Sequence, residues 1–352
     1  MLDNPYLELK FILDSYEIEV KQVTVETLKG KKAVFWVETN KGKFILKKMP
    51  VDKRRLFFLL SAIVHLRAGG VNIPQIYTTK KGDLFVEDGE KVYILMEAIK
   101  GKSPSYNVAS ELANIMQSMA MFHRVSKGYL PQAEVKIRSH LGIWEKHYSQ
   151  LVTDLIKFKV RSLQNNQRPF EEFYLAHCDY FIEEGKTCLA SLKENAYINW
   201  VAKVEQETNL CHQDFAAGNL GLVDGKLFIY DLDSLTIDLP ARDLRKIINK
   251  VMKKGQWDTK LALRMLSSYH QTNPLTSSEY SVLFIDLRFP HLFFGAVSKY
   301  FDNREGEWTL QKHLSRLKAI TKTEKDKVKV LKNQEEIINS IISKAALKEG
   351  GK

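Results

Sequence analysis

One stretch limits what this chain can become more than any other: residues 210–234, which run His212-Gln213-Asp214, then Asn219, then Asp224-Gly225, then Asp231-Leu232-Asp233. Asp224-Gly225 lies between two apolar runs, 220–223 and 227–230, and that is the signature of a tight β-hairpin. Such a hairpin carries Asp214 and Asn219 at the foot of one arm and Asp231 at the end of the other. Groups far apart in sequence are thereby gathered. Phosphoryl transfer from a metal-bound nucleotide needs this set: one carboxylate to take the proton of a hydroxyl, and an amide oxygen and a second carboxylate for divalent ions. A His-x-Asp pair alone is commonly a capped turn, and Asp-Gly turns recur in any hairpin-rich protein. The four features in this order point to the chemistry.

Around that stretch the pattern changes along the chain. Segments 18–27, 33–38 and 43–48 read as strands joined by Gly30 and by Asn40-Lys41-Gly42, a three-stranded meander rich in β-favouring bulk (Val34, Trp36, Phe44, Leu46). Residues 52–68 repeat apolar side chains at helical spacing, and Gly69-Gly70 ends them. Segments 73–78 and 91–98 complete an expected five-stranded antiparallel sheet, with a turn near Asp88-Gly89. Beyond residue 98 helices dominate: 108–126, 141–163, 169–192, 198–207, 244–252, 259–270 and 277–301, with Ile337, Ile338, Ile341 and Ile342 docking the last stretch on the body. The expectation is an α+β, two-lobed fold, with a sheet-and-helix lobe over 1–97 and a helical lobe over 98–352 that holds the hairpin.

Composition narrows the function classes. The formal net charge is +11, but Lys is interspersed with Glu and Asp and no Arg-rich, aromatic-interleaved patch stands out, so a solvated basic surface is expected and no nucleic-acid partner. Neither an export signal nor an apolar run of spanning length is read, so no membrane is expected. Cys178, Cys188 and Cys211 cannot all pair and have no metal-ligand spacing, which fits synthesis in a reducing cytoplasm.

The spacing His212-x-Asp214-x-x-x-x-Asn219 matches the catalytic loop of kinases, and Phe44-Ile45-Leu46-Lys47 has the form of the kinase strand whose Lys reaches the nucleotide phosphates. Lys48 competes, since neighbours on a strand face opposite ways. The segment 93–101 leaves the sheet where a kinase joins its lobes; Glu97 and Ile99 are the expected backbone contacts to an adenine edge. Two features depart from the pattern. The loop at Gly30 has no G-x-G-x-x-G, leaving Lys31 and Lys32 either as stand-in charges or, more simply, as surface lysines. The helix over 52–68 has no Glu to pair with Lys47, offering Ser61 and His65 instead.

With His212-Gln213-Asp214 to Asn219, Tyr230-Asp231-Leu232-Asp233 and Arg242-Asp243-Leu244 in place, nearly the whole chain resembles the aminoglycoside phosphotransferase and choline kinase superfamily of protein-kinase-like folds. Within it, His65-Leu66-Arg67-Ala68-Gly69-Gly70, Phe289-Pro290 and the basic helical C-terminus resemble the CotS-type spore coat proteins. The resemblance implies ATP and Mg2+, with Asp214 and His212 as the catalytic pair, Asn219, Asp231 and Asp233 toward the metal, and Lys47 on the phosphates. It also implies a place in the spore coat among other coat proteins and an unidentified small-molecule hydroxyl as acceptor. A kinase-fold coat protein with weak or no turnover is the alternative. An aminoglycoside acceptor fits less well, because a polycation asks for an acidic cleft and Glu183-Glu184 is the only short acidic pair near the expected substrate helices. Asp243 is read as a brace for the catalytic loop, His123 as a packed histidine, and the helical-lobe aromatics Trp144, Tyr148, Tyr174, Tyr180 and Trp200 as core before pocket.

Overall fold

The computed structural model describes residues 5–30, 32–131, 135–253 and 257–349. Helix α1 (Pro5–Leu13) precedes strands β1 (Val20–Lys29), β2 (Lys32–Thr39) and β3 (Gly42–Met49), then helix α2 (Lys53–Ala68) and strands β4 (Ile76–Tyr77), β5 (Val86–Asp88) and β6 (Lys91–Glu97). They form one antiparallel sheet in the order β1-β2-β3-β6-β4, with β5 also on β6. The sheet has six strands rather than the expected five. The additional strand, β5, is three residues long, too short to show an alternating pattern, and the Asp88-Gly89 turn supplies it.

Alternation along the strands gives the sheet two jobs. Ala33, Phe35, Val37, Phe44, Leu46, Tyr93 and Leu95 pack beneath Leu9, Ile12, Leu13 and Tyr16, making a small separate core. The opposite face presents Val34, Trp36, Ile45, Lys47, Ile94 and Met96 to a cleft. The same alternation puts Lys47 on the cleft side and Lys48 on the face of Leu46. Asp52 caps α2, its side chain accepting the Arg55 N–H at 2.9 Å.

The rest is mainly helical: α3 (Ala109–Ser126), α4 (Trp144–Leu163), α5 (Pro169–Ser191) and α6 (Asn195–Glu207), then short strands β7 (Leu210–Cys211), β8 (Leu220–Val223), β9 (Lys226–Ile229) and β10 (Thr236–Ile237). Helices α7 (Ala241–Met252), α8 (Thr259–His270), α9 (Ser277–Arg288), α10 (His291–Phe301), α11 (Leu310–Asp326), α12 (Val328–Leu331) and α13 (Gln334–Glu349) complete it. The helix expected over 277–301 is two. Pro290 lacks an N–H and drives Phe289 to an extended ψ of 134°, which ends α9. Ile337, Ile338 and Ile341 are buried, so α13 docks on the body as expected. Trp144, Tyr148, Tyr174 and Trp200 are core, while Tyr180 is exposed.

A buried polar hub ties α4, α7, α9 and α10 together. The Asp286 carboxylate accepts from Arg245 Nε (3.1 Å), His291 Nε2 (2.8 Å) and the Tyr148 hydroxyl. Burial, with Arg245 adding to it, pushes the His291 imidazole down to about 3, and burial likewise lowers His140 to about 4. Unfolded histidine titrates near 6.5, so below that pH the unfolded chain takes up protons that the fold refuses. Stability is therefore fully present above about pH 6.5 and lost as pH falls toward these depressed values. Urea unfolding should show a falling midpoint from pH 7 to pH 5, and His291→Gln should flatten that slope.

Candidate active site

The hairpin forms as its sequence demands. Strands β8 and β9 pair from Leu220↔Ile229 to Val223↔Lys226. Asp224 (φ 48°) and Gly225 (φ 77°) take the two left-handed positions of a type I′ turn. One step beyond the ladder the Tyr230 N–H donates to the Asn219 carbonyl at 2.9 Å, which sets Asn219 opposite the residue before Asp231.

Besides Asp224 in the turn, two non-glycine residues flanking the hairpin sit in the left-handed region, Gln213 (φ 72°) and Asp231 (φ 55°). Each costs about 1–3 kcal/mol and needs neighbours to hold it. For Gln213 the holders are visible. The fully buried Asp243 carboxylate on α7 accepts the His212 N–H at 2.6 Å and the Gln213 N–H at 2.9 Å. Lys246 Nζ donates to the Gln213 carbonyl (2.6 Å) and Oε1 (2.8 Å). His123 Nε2 lies 3.3 Å from Asp243, and its Nδ1 2.8 Å from the Tyr269 hydroxyl. Burial, the largest single influence, pushes the Asp243 carboxyl up, but the His123 hydrogen bond and the fields of His123, His212 and Lys246 together outweigh it and the net displacement is downward.

His212, expected beside Asp214 as a catalytic group, is placed otherwise. It is fully buried; its Nδ1 accepts the Asp214 N–H (3.2 Å), so its Nε2 carries the proton and donates to the Tyr230 carbonyl (2.8 Å). Both ring nitrogens are used by main chain. His212 fastens the loop to the strand that delivers Asp231, and neither ring nitrogen is left over for another partner.

Asp214 is exposed. Asn219 Nδ2 donates to the Asp214 carbonyl and Oδ2, both at 2.9 Å, which turns the Asn219 amide oxygen away from Asp214. Lys250 Nζ stands 3.5 Å from Asp214 Oδ1.

Asp231 and Asp233 meet the N-terminal lobe across a cleft of about 480 Å3. Lys47 Nζ lies 3.0 Å from Asp231 Oδ1 and 2.5 Å from Asp233 Oδ1. Lys32 Nζ reaches both Asp231 oxygens, at 2.8 and 2.9 Å, and Asp233 at 3.4 Å. Burial raises the Asp231 carboxyl, yet Lys47 and the hydrogen bonds from Lys32 and Lys47 outweigh it and hold the group well below the usual carboxylate range. Lys32 is thus no idle surface lysine; Lys31 lies outside the described residues. Helix α2 gives Lys47 no carboxylate. Ser61 binds the Tyr129 hydroxyl and His65 the Val125 carbonyl, while Leu59, Leu60 and Ile63 line the cleft. Arg55 from the same helix donates to the main-chain carbonyls of Asp233 (3.4 Å) and Leu235, a contact that nothing in the helical periodicity announced.

Glu97 and Ile99 both border the cleft. The Glu97 N–H is spent on the Gln75 carbonyl at 2.8 Å, so its main-chain carbonyl is the group it can turn to a ligand. The linker beyond is stitched to the hairpin by a two-way main-chain bridge between Lys102 and Leu222 (3.1 and 2.8 Å). The hydroxyl end of Tyr230 lies against Gly221 and donates to the Ile99 carbonyl at 3.4 Å; a Cβ at Gly221 would fall 1.9 Å from its hydroxyl oxygen. Glu184 pairs with Arg288 and Glu183 with Lys186, neither beside Asp214.

Two substitutions test this framework. Gly221→Ala must displace Tyr230 from the linker and should cost about 1–3 kcal/mol in urea unfolding, the usual cost of overpacking. Asp243→Ala leaves two buried N–H groups without acceptors and should cost roughly 1–3 kcal/mol for each, with hydrogen exchange at His212 and Gln213 rising most.

Residues 9–334 match the family described as "Spore coat putative kinase YutH". Spore coat protein S of Bacillus subtilis (strain 168) is 32% identical over 339 residues, covering 94% of each chain. Among solved structures, an aminoglycoside phosphotransferase from Alicyclobacillus acidocaldarius superposes with a TM-score of 0.80 at 15% identity, over 94% of this chain and 96% of that one. An amicoumacin kinase in complex with AMP-PNP and Ca2+ gives 0.61 at 14% identity, over 92% and 93%. The two structural likenesses establish the kinase-like fold.

Proposed function

The chain belongs to the spore coat kinase-like family of YutH and CotS, and on that premise we propose that it transfers the γ-phosphoryl group of ATP to a hydroxyl of a small molecule. The observation that carries this is the cluster of Lys32, Lys47, Asp231 and Asp233 on the cleft floor, beside the coupled pair Asp214–Asn219. Two cations and two anions balance there. A nucleotide with its metal brings the complementary pair, polyanion for the lysines and cation for the carboxylates. Val34, Ile45, Met96 and Ile99 offer an apolar slot for a base, with the Glu97 carbonyl at its edge.

In this reading Lys47, helped by Lys32, holds the phosphates. Asp231 and the Asn219 amide oxygen, with Asp233 beside them, are the hard oxygen donors that fit Mg2+, which when bound neutralises phosphate charge. The acceptor oxygen attacks the γ-phosphorus; the new O–P bond forms as the bond to the β–γ bridging oxygen breaks, and ADP leaves with that electron pair. The hydroxyl proton passes to Asp214 and on to water. His212 and Asp243 keep Asp214 in place and take no proton. The names of the relatives support a place in the spore coat; synthesis in the cytoplasm before deposition, and contact with other coat proteins there, belong to the same reading.

A second reading, a coat protein on a kinase scaffold with little or no turnover, is favoured by one observation: Lys47 has no carboxylate from α2, and Lys32 already lies across both Asp231 oxygens. Thermal unfolding with ATP or ADP, with and without Mg2+, separates them from a protein that binds neither. Nucleotide at ~100 times its dissociation constant should add about 2.7 kcal/mol of stability. Asp231→Asn should abolish the Mg2+ dependence, and Asp214→Asn should keep binding while ADP formation stops. Absence of any nucleotide shift at millimolar concentration would remove the kinase reading.

A further inference from the structure

Beside Asp214 a second concavity of about 290 Å3 opens between the loop 213–216 and helix α7, and it shares no lining residue with the interlobe cleft. Asp214 is part of its lining, so an acceptor held in this concavity has its hydroxyl within reach of that carboxylate, and the rest of the lining speaks to the acceptor's chemistry. Arg245, Lys246, Lys250 and Lys253 all border it, and Asp214 is the one acidic residue among the described lining. Along α7 these cations recur at helical spacing on one face, and past Asp243 the helix has no Asp or Glu.

The simplest account is that cations near a helix C-terminus answer its dipole. That account covers Lys250 and Lys253, which stand in or just past the last turn. It does not cover Lys246, a half-buried ammonium whose hydrogen bonds go to the neutral oxygens of Gln213. Burial pushes Lys246 down to about 8, with Asp243 opposing and Arg245 and Arg242 adding to the displacement. Arg245 is paired with Asp286 and Lys250 with Asp214, while Lys246 has no carboxylate within ion-pair distance among the described residues. It also does not cover Asn249, which borders the same concavity, is 3% exposed, and has neither its amide nitrogen nor its amide oxygen hydrogen-bonded among the described residues. A buried carboxamide left open at both ends is destabilising unless something occupies the site.

We propose that the acceptor is anionic: a hydroxyl compound carrying a phosphate or carboxylate group, which Lys246, Lys250 and Lys253 bind and Asn249 orients while the hydroxyl lies at Asp214. This rests on the phosphotransferase reading for the hydroxyl's fate, and on the geometry of α7 for the charge. It is the reverse of what a polycationic aminoglycoside requires. One consequence is internal to the site: an oxyanion drawing Lys250 toward itself frees Asp214 Oδ1, now 3.5 Å from that ammonium, to accept the hydroxyl proton.

The test is calorimetric titration of the full-length protein saturated with ADP and Mg2+, using glycerol 3-phosphate, glycerate, glycerol and kanamycin as probes. Glycerol 3-phosphate or glycerate, or both, should bind, and the comparison of the two separates phosphate from carboxylate recognition. Glycerol and kanamycin should not bind. Lys250→Gln, on the solvent side of α7, and Lys246→Gln should each weaken the anion about tenfold, the scale of one charge-assisted hydrogen bond. Lys318→Gln on α11 should change nothing. Kanamycin or glycerol binding as well as the anions, or anion affinity unchanged by Lys250→Gln, would overturn the proposal. ADP affinity, measured in the same samples, reads the nucleotide site separately, so a failure of the phosphotransferase reading is not mistaken for a failure of the anion site.

Discussion

A single buried carboxylate holds the loop that carries Asp214 in shape. Asp243 accepts the main-chain N–H groups of His212 and Gln213, and that contact fixes Gln213 in a left-handed conformation which ordinary residues avoid. The residue after Gln213 is Asp214, so the carboxylate that faces solvent is aimed by the carboxylate that does not. His212 completes the brace by joining the loop to the Tyr230 carbonyl. The strain is local and its restraints come from α7, α3 and α8, so loop geometry is a property of the helical lobe's packing.

The second organising feature is electrostatic. In a protein kinase the strand lysine is tied to a helix carboxylate within its own lobe. Here Lys47 and Lys32 are tied across the cleft to Asp231 and Asp233, and α2 supplies apolar side chains and Arg55 instead. The two lobes are therefore held by the groups that a metal nucleotide would engage. Binding would exchange these ion pairs for contacts to phosphate and metal, which gives ligand occupancy a direct hold on the lobe interface.

Charge is divided unevenly between the two cavities. In the interlobe cleft Lys32 and Lys47 are paired with Asp231 and Asp233, whereas the concavity along α7 sets Lys246, Lys250 and Lys253 beside Asp214, Arg245 being paired with Asp286. Whole-chain charge could not reveal that division. The net excess of +11 reads as a solvated surface in the sequence, and only the fold shows part of it gathered along α7 beside Asp214.

The amino-acid order by itself determined the elements whose information is local: the β8–β9 hairpin, because Asp224-Gly225 dictates its turn and alternation its register, the long helices, and the family to which His212, Asp214, Asn219 and Asp231 belong. It misplaced what depends on distant partners. Pro290 split a helix that apolar periodicity made continuous, and three-residue β5 had too few positions to show a period. Which of Lys47 and Lys48 faces the cleft, what replaces the missing helix carboxylate, and that Lys32 reaches Asp231 were tertiary decisions. Each turns on a strand face or on a side chain from the other lobe, nearly 200 residues away for Lys32 and Asp231, and no local pattern encodes a contact of that span.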